Sequence, residues 1–374
     1  MSFVERFNQL PEERSPLLRR FEGLLDAGVD LESLAGEAAS LTRQHFGRTM
    51  RLFAPLYVSN ECVNICKYCG FSRDNPILRV TLGVDQVEME ARHLVAEGFR
   101  NILLVAGEHP KFVSESYLED CIRRIRPLVP SISLEVGPME TVEYEPLVRA
   151  GAEGLVVYQE TYDRQAYAEL HTAGPKRNFD WRLECPERAY AAGFRRIGIG
   201  ALFGLADWRQ EARALAAHAE YLLKSCWKAS LTISFPRLRP AAGEFEPRVV
   251  LTDAELTRLI CAFRVCFPQV GLVLSTREPA KLRDGLIPLG VTLMSAGSHT
   301  EPGGYTGAGR EQLHRTEKGK MIPLIASEGE YATEQFAISD QRSAGEIVAR
   351  LQGMGFDPVW KDWDSALGGV PIRG

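Results

Sequence analysis

Short apolar runs rich in β-branched residues alternate with amphipathic stretches along most of this chain, and that alternation confines it to a parallel-sheet architecture. RLFAPLYVSN (51–60) begins the series. NILLVAGE (101–108), SISLEVGP (131–138), GLVVYQET (154–161), RRIGIGALFG (195–204), ASLTISFP (229–236), GLVLSTRE (271–278) and VTLMSAGS (291–298) continue it. Between them, residues 86–97, 115–128, 141–150, 181–192, 209–224 and 253–266 carry apolar residues at helical spacing, with Leu256, Leu259, Ile260 and Phe263 on one face of the last. Gly98, Gly151 and Gly193 stop three of these helices. Eight strand candidates in this rhythm predict an α/β fold, a (β/α)8 TIM-type barrel rather than an open doubly wound sheet.

Residues 1–50 read as an N-terminal helical segment, with Leu17, Leu18, Phe21, Leu24 and Leu25 at helical spacing. Residues 51–298 are the expected barrel, and 299–374 a C-terminal extension closing it. Within the extension, 299–330 has four glycines (Gly303, Gly304, Gly307, Gly309) and few apolar residues, and reads as a long loop. Ile347, Val348 and Leu351 predict one more helix, and DPVWKDWDSALGG (357–369) a docked tail.

Composition excludes several function classes. A net charge of -5 with no basic stripe argues against a nucleic-acid partner. No apolar run approaches the roughly 18–20 residues of a membrane helix. The first residues, MSFVERFNQLPEERSP, lack the apolar core of a secretory signal. The expectation is a cytoplasmic protein in which thiols stay reduced, so the eight cysteines are ligands or core residues rather than disulfides.

Three of them are close together: Cys62-x3-Cys66-x2-Cys69, in NECVNICKYCGFSR (60–73). Thiolates suit iron–sulfur clusters and zinc. Three cysteines in eight residues reach three corners of a [4Fe–4S] cubane and leave its fourth iron to the amine and carboxylate of S-adenosylmethionine (SAM). One electron then breaks the S–C5′ bond and yields a 5′-deoxyadenosyl radical. The alternative, a structural zinc site, needs a fourth ligand such as His93 or His109, since no second C-x2-C exists. The loop follows the first expected strand, the catalytic side of a (β/α)8 barrel. Cys121, Cys185, Cys226, Cys261 and Cys266 are scattered and read as core positions.

Further segments carry a more specific resemblance. PLYVSNECVNICKYCGFSR (55–73), LLVAGEHP (103–110), VVYQETY (156–162), IGIGALFGL (197–205), SFPRLRPA (234–241), LSTRE (274–278), PGGY (302–305) and VWKDWDSALG (359–368) closely resemble the 2-iminoacetate synthases (ThiH) of thiamine biosynthesis, radical SAM tyrosine lyases. The resemblance runs from about residue 40 to the end. It implies cleavage of the Cα–Cβ bond of L-tyrosine to 2-iminoacetate (dehydroglycine) and p-cresol. It also implies association with thiazole synthase (ThiG) and a reductant such as flavodoxin or ferredoxin. The related [FeFe]-hydrogenase maturase HydG adds a second cysteine-bound cluster in a C-terminal extension, whereas this chain has no cysteine after Cys266. A tryptophan lyase of nosiheptide synthesis is the other neighbouring reading. From a different class, a metal-stabilised, non-catalytic module that docks on thiazole synthase is the rival.

The resemblance also assigns residues. Gly107 and Glu108 would receive the SAM amino group, Glu160 the ribose hydroxyls and Arg182 the SAM carboxylate. Tyr68 and Phe71 would contact adenine, and Ile199, Gly200 and Ala201 would give it a backbone edge. Arg277 would grip the substrate carboxylate bidentately, with Ser295 adding a hydrogen bond and Tyr57 near the amine. Arg237 and Arg239 would stand near the phenol end or the substrate radical. Each has a plainer reading: a solvated Glu108, core packing for Tyr68 and Phe71, a structural ion pair for Glu160 and Arg182, and an ordinary barrel strand for Ile199. The seven histidines, His299 included, form no ligand constellation.

Overall fold

A computed structural model describes residues 2–9, 15–317, 320–322, 324, 329 and 331–361. Eight strands run parallel in chain order: β1 (Thr49–Ser59), β2 (Asn101–Ala106), β3 (Ser131–Glu135), β4 (Gly154–Glu160), β5 (Arg196–Ala201), β6 (Ser230–Ser234), β7 (Gly271–Leu274) and β8 (Leu293–Ser295). β8 pairs back on β1, with Arg51 opposite Leu293 and Phe53 opposite Ser295, so the sheet closes into the expected (β/α)8 barrel.

The two-residue period of each strand sorts its side chains. Leu52, Ala54, Leu56 and Val58 point outward into the apolar layer beneath the helices, while Phe53, Pro55 and Tyr57 line the lumen. The same alternation puts Ile132, Leu134, Ile197, Ile199, Ile233 and Met294 outside and Glu135, Tyr158, Ser234 and Ser295 inside. The inward residues nearest the C-terminal mouth are thus largely polar, in a barrel whose outer layer is apolar.

The expected strands overrun the observed ones at their C-terminal ends. Residues 107–108, 136–138, 202–204, 275–278 and 296–298 are loops at one mouth. Their apolar pattern misleads because these loops are themselves buried: Phe203, Thr276 and Ala296 are at most 3% exposed. The helix expected over 181–192 is two, Phe179–Leu183 and Cys185–Ala192, broken just before Pro186. The segment 299–330 is not simply a loop. His314–Glu317 pairs antiparallel with both Lys320–Ile322 and Leu78–Arg79. Asp357–Val359 adds a ninth parallel strand beside Thr49–Arg51 of β1, and Trp360 meets Phe99 edge-on at 5.1 Å. The rest of the expected tail, 362–369, lies outside the described residues.

The N-terminal helices Phe3–Gln9, Pro16–Leu24 and Leu31–Phe46 pack on the outer helical layer. Phe21 meets Phe263 edge-on at 4.7 Å and Phe3 stacks on His218 at 4.2 Å. At the other end, fully buried Arg283 joins Asp340 to the barrel and also donates to the Ser295 carbonyl. Asp340→Ala would strand that buried guanidinium. A loss of about 3–5 kcal/mol in urea unfolding is expected, the cost of breaking a buried ion pair from one side.

Candidate active site

The loops at the C-terminal mouth build the site, and the cysteine loop is fixed from every side. Buried Arg79 donates to the carbonyls of Asn60 (2.6 Å), Phe71 (3.2 Å) and Ser72 (2.8 Å). Asn64 donates to Glu108 (2.7 Å) and accepts from the Lys176 backbone N–H (2.9 Å). Val63 N–H bonds the Glu108 carbonyl at 2.8 Å. Gly107 is a glycine because a Cβ there would collide with the Glu61 carbonyl. Its room is used by the cysteine loop itself, so the close approach it permits is between two backbones.

Cys66 is buried, and Cys62 and Cys69 are half-buried. Burial pushes the Cys66 and Cys69 thiols up, against the pull of nearby Lys176. N–H groups face two of the sulfurs: Asn64 N lies 3.4 Å from Cys62 Sγ and Gln335 Nε2 lies 3.9 Å from Cys69 Sγ. Three thiols with N–H donors and a cation beside them fit an anionic, sulfur-ligated cluster. Among the described residues no group of three or more His, Cys, Asp or Glu could hold a single metal ion. His93 faces Glu97 at 3.5 Å and His109 packs on Phe112, so neither is placed as a fourth zinc ligand. The other five cysteines are buried.

Glu160 ends β4 in a left-handed conformation, φ +73°, which a non-glycine residue holds only when its surroundings insist. Lys176 Nζ lies 2.6 Å and Arg182 3.4 Å from its Oε1. Burial alone would raise its pKa, but these two cations overcome that and hold the carboxyl below the usual range. Arg182 also donates to the Tyr158 carbonyl at 2.7 Å. Behind the turn, buried Glu211 accepts from Thr161 Oγ1 (2.5 Å) and Tyr162 N–H (2.8 Å). Tyr68 shares this cavity with Cys69, Glu160 and Lys176, its hydroxyl 2.8 Å from His171 Nε2.

Phe71, Ile199 and Arg237 have other partners in this structure. Phe71 is packed in an apolar cluster, edge-on to Tyr57 at 5.9 Å. Ile199 points into the outer core and its backbone sits in mid-ladder between Val157 and Ile233, so it gives a ligand no free edge. The lumen face of neighbouring Gly200 is taken up by the Tyr158 ring. Arg237 is bound to Glu278, Asp253 and the Leu251 carbonyl and does not line the central cavity. Arg239 pairs with Glu278 at 3.0 Å but does line the second cavity.

The central cavity, about 680 Å³ with its open mouth, is lined by Tyr57, Glu135, Tyr158, Arg277, Ser295 and Phe336, among others. The Arg277 guanidinium lies 3.3 Å from the centroid of the Phe336 ring and has no carboxylate partner among the described residues. Burial lowers its pKa, opposed by Tyr57, Tyr158 and Glu135. Tyr57 donates to Gln335 Oε1 at 2.7 Å, and burial raises its phenol well above the ordinary value. Ser295 Oγ accepts from Thr276 N–H at 3.0 Å. Sequence reasoning missed Glu135, Lys176, Gln335, Phe336 and Arg79. Only Glu135 carried a usable signal, the one acid in its strand, at an inward position in line with Ser131 and Ser133.

A parallel barrel with three cysteines on the loop after its first strand is the architecture of the radical SAM superfamily, whose family model matches residues 56–216. A model for the biotin and thiamin synthesis associated domain matches 234–357. The chain is 41% identical over 344 residues to the 2-iminoacetate synthase of Escherichia coli, covering 92% of this chain and 86% of that protein. It is also 41% identical over 339 residues to that of Salmonella typhimurium, covering 90% and 84%. The solved structure of the FeFe-hydrogenase maturase HydG from Carboxydothermus hydrogenoformans superposes with a TM-score of 0.81 at 36% identity, over 96% of this chain and 79% of that one. The chain belongs to the 2-iminoacetate synthase family. No helix among the described residues is long and apolar enough to cross a membrane.

Proposed function

We propose that this protein cleaves the Cα–Cβ bond of L-tyrosine, giving 2-iminoacetate and p-cresol. The observation that carries the reading is the join between two cavities. One holds Cys69, Tyr68, Glu160 and Lys176, the other holds Tyr57 and Ser295, and Arg277, Tyr158, Glu135 and Phe336 line both. Cys62, Cys66 and Cys69 would hold a [4Fe–4S] cluster which, with bound SAM, supplies a 5′-deoxyadenosyl radical able to take hydrogen from the substrate amine, leaving 5′-deoxyadenosine and methionine.

The chain's own groups do the placing. Glu108 offers a carboxylate to the SAM ammonium, and Glu160 offers one to the ribose hydroxyls. Arg182 fixes Glu160 and keeps further N–H donors for the SAM carboxylate. Arg277 grips the tyrosine carboxylate, Ser295 adds a hydrogen bond beside it, and Tyr57 borders the amine. Gln335 and Phe336 line the second cavity beside Cys69. 2-Iminoacetate hydrolyses readily, which favours direct transfer to thiazole synthase. Flavodoxin or ferredoxin would supply two electrons, one to split SAM and one that, with a proton, reduces the released 4-hydroxybenzyl fragment to p-cresol.

Anaerobic reconstitution with iron and sulfide, followed by SAM, dithionite and tyrosine, should release p-cresol and 5′-deoxyadenosine in a chromatographic assay. Indole-derived products from tryptophan instead would shift the substrate assignment. Iron uptake with no 5′-deoxyadenosine would leave the non-catalytic binding module.

A further inference from the structure

Glu135 is the last residue of β3, and the strand's alternation turns it into the lumen above Ser133. It is half-buried at the cavity wall, and no hydrogen bond or ion pair engages its carboxylate among the described residues. Its acidic neighbours are all engaged. Glu160 has Lys176 and Arg182, Glu278 has Arg237 and Arg239, and Glu108 has Asn64. A carboxylate that faces the cavity with no protein partner is left open to a ligand that completes it.

The position says which part of the ligand. Five residues line both cavities (Glu135, Tyr158, Pro236, Arg277 and Phe336), and Glu135 is the one acid among them. An amino acid whose carboxylate is held by Arg277 carries its amine on the next carbon. For that amine to face the cysteine side, it must lie along this shared wall. We propose that Glu135 takes the proton from the substrate α-ammonium and holds the resulting neutral amine toward the cysteine loop. This rests on the lyase reading above, in which the amine gives up a hydrogen atom.

The step balances as carboxylate plus R–NH3+ giving carboxylic acid plus R–NH2, and it needs no further reactant. An ammonium has no lone pair to stabilise a nitrogen-centred radical, so the proton must leave before the hydrogen atom does. The surroundings suit the exchange. Burial raises the Glu135 acid to about 7, and Glu160 adds to this, while Arg277, Arg182 and Lys176 oppose it. The phenols of Tyr57 and Tyr158 complete its titratable neighbourhood. Both protonation states are therefore reachable near neutral pH, as a proton acceptor requires.

The test compares tyrosine with its desamino analogue, 3-(4-hydroxyphenyl)propanoate, on the reconstituted, SAM-loaded enzyme. Glu135→Gln should bind tyrosine at least tenfold more weakly and the analogue equally well. It should also lose the rise of kcat/KM with pH through about 7, the value for the Glu135 acid. Glu135→Asp should restore part of both. Equal weakening of the two ligands, or an unchanged pH profile in Glu135→Gln, would overturn the proposal. If Glu135→Gln fails to fold, the wild type decides alone: its preference for tyrosine over the analogue should fall below pH 7, and a flat preference overturns the idea. A wild type that binds tyrosine but never forms p-cresol would overturn the lyase reading and the proton transfer with it. A productive wild type beside an unaffected Glu135→Gln would overturn the proton transfer alone.

Discussion

Alanine at Cys69 is expected to lower p-cresol and 5′-deoxyadenosine formation by roughly 10³-fold or more, with bound iron falling in parallel. The donor set has no reserve on this loop, and the other five cysteines are buried elsewhere in the chain. The loop does not depend on the sulfur for its shape. Arg79, Asn64 and the bond from Cys66 N–H to Ser72 Oγ (3.2 Å) hold its backbone without any thiol. The variant should therefore keep its circular dichroism spectrum and lose less than about 1–2 kcal/mol of stability, the scale of one small buried side chain. Cys121→Ala inverts the pattern. That residue is buried in the apolar core, so its loss should lower the melting temperature and leave iron content and turnover alone. A Cys69→Ala protein with full iron and full turnover would show that the sulfur is not a ligand.

The fold was legible because two periodicities, 2 and 3.6, carry it. An outer layer of Leu, Ile, Val and, on β8, Met294 writes the barrel into the sequence as eight apolar runs. Strand ends were less legible, because buried loops such as the one holding Phe203 look like strand. Asp357–Val359 and Leu78–Arg79 are too short, and too polar, to announce themselves as strands. In the site, the cysteines and Arg277 stood out through motif and charge. Gln335 and Phe336 did not, because they reach the mouth from a segment over 250 residues beyond Tyr57 with no regular element of its own. The partner of Arg237 was illegible for a different reason. The arginine's motif is distinctive, but Glu278, four residues past Leu274, claims its charge, a pairing set by the side-by-side seating of β6 and β7.

Arg277→Lys is expected to reduce kcat/KM for tyrosine by about 10²–10³-fold, or roughly 3–4 kcal/mol, chiefly by raising KM. Lysine keeps the charge but loses both features the site uses. It cannot present two parallel N–H donors to a carboxylate, and it cannot lie flat on the Phe336 ring as the guanidinium does at 3.3 Å. Stability should move the other way from activity. Burial already lowers the Arg277 pKa against the opposing pull of Tyr57, Tyr158 and Glu135, and no carboxylate among the described residues is paired with it. Replacing it by Met is then expected to leave the urea midpoint unchanged or higher, whereas the same change at buried Arg79, which satisfies three loop carbonyls, should lower it sharply. SAM binding should be little affected in Arg277→Lys, because Glu108, Glu160 and Arg182 remain. Measuring the tyrosine and SAM dissociation constants side by side separates these expectations. An unchanged tyrosine affinity would place the carboxylate clamp elsewhere, and equal loss of both ligands would mean that Arg277 supports the mouth as a whole.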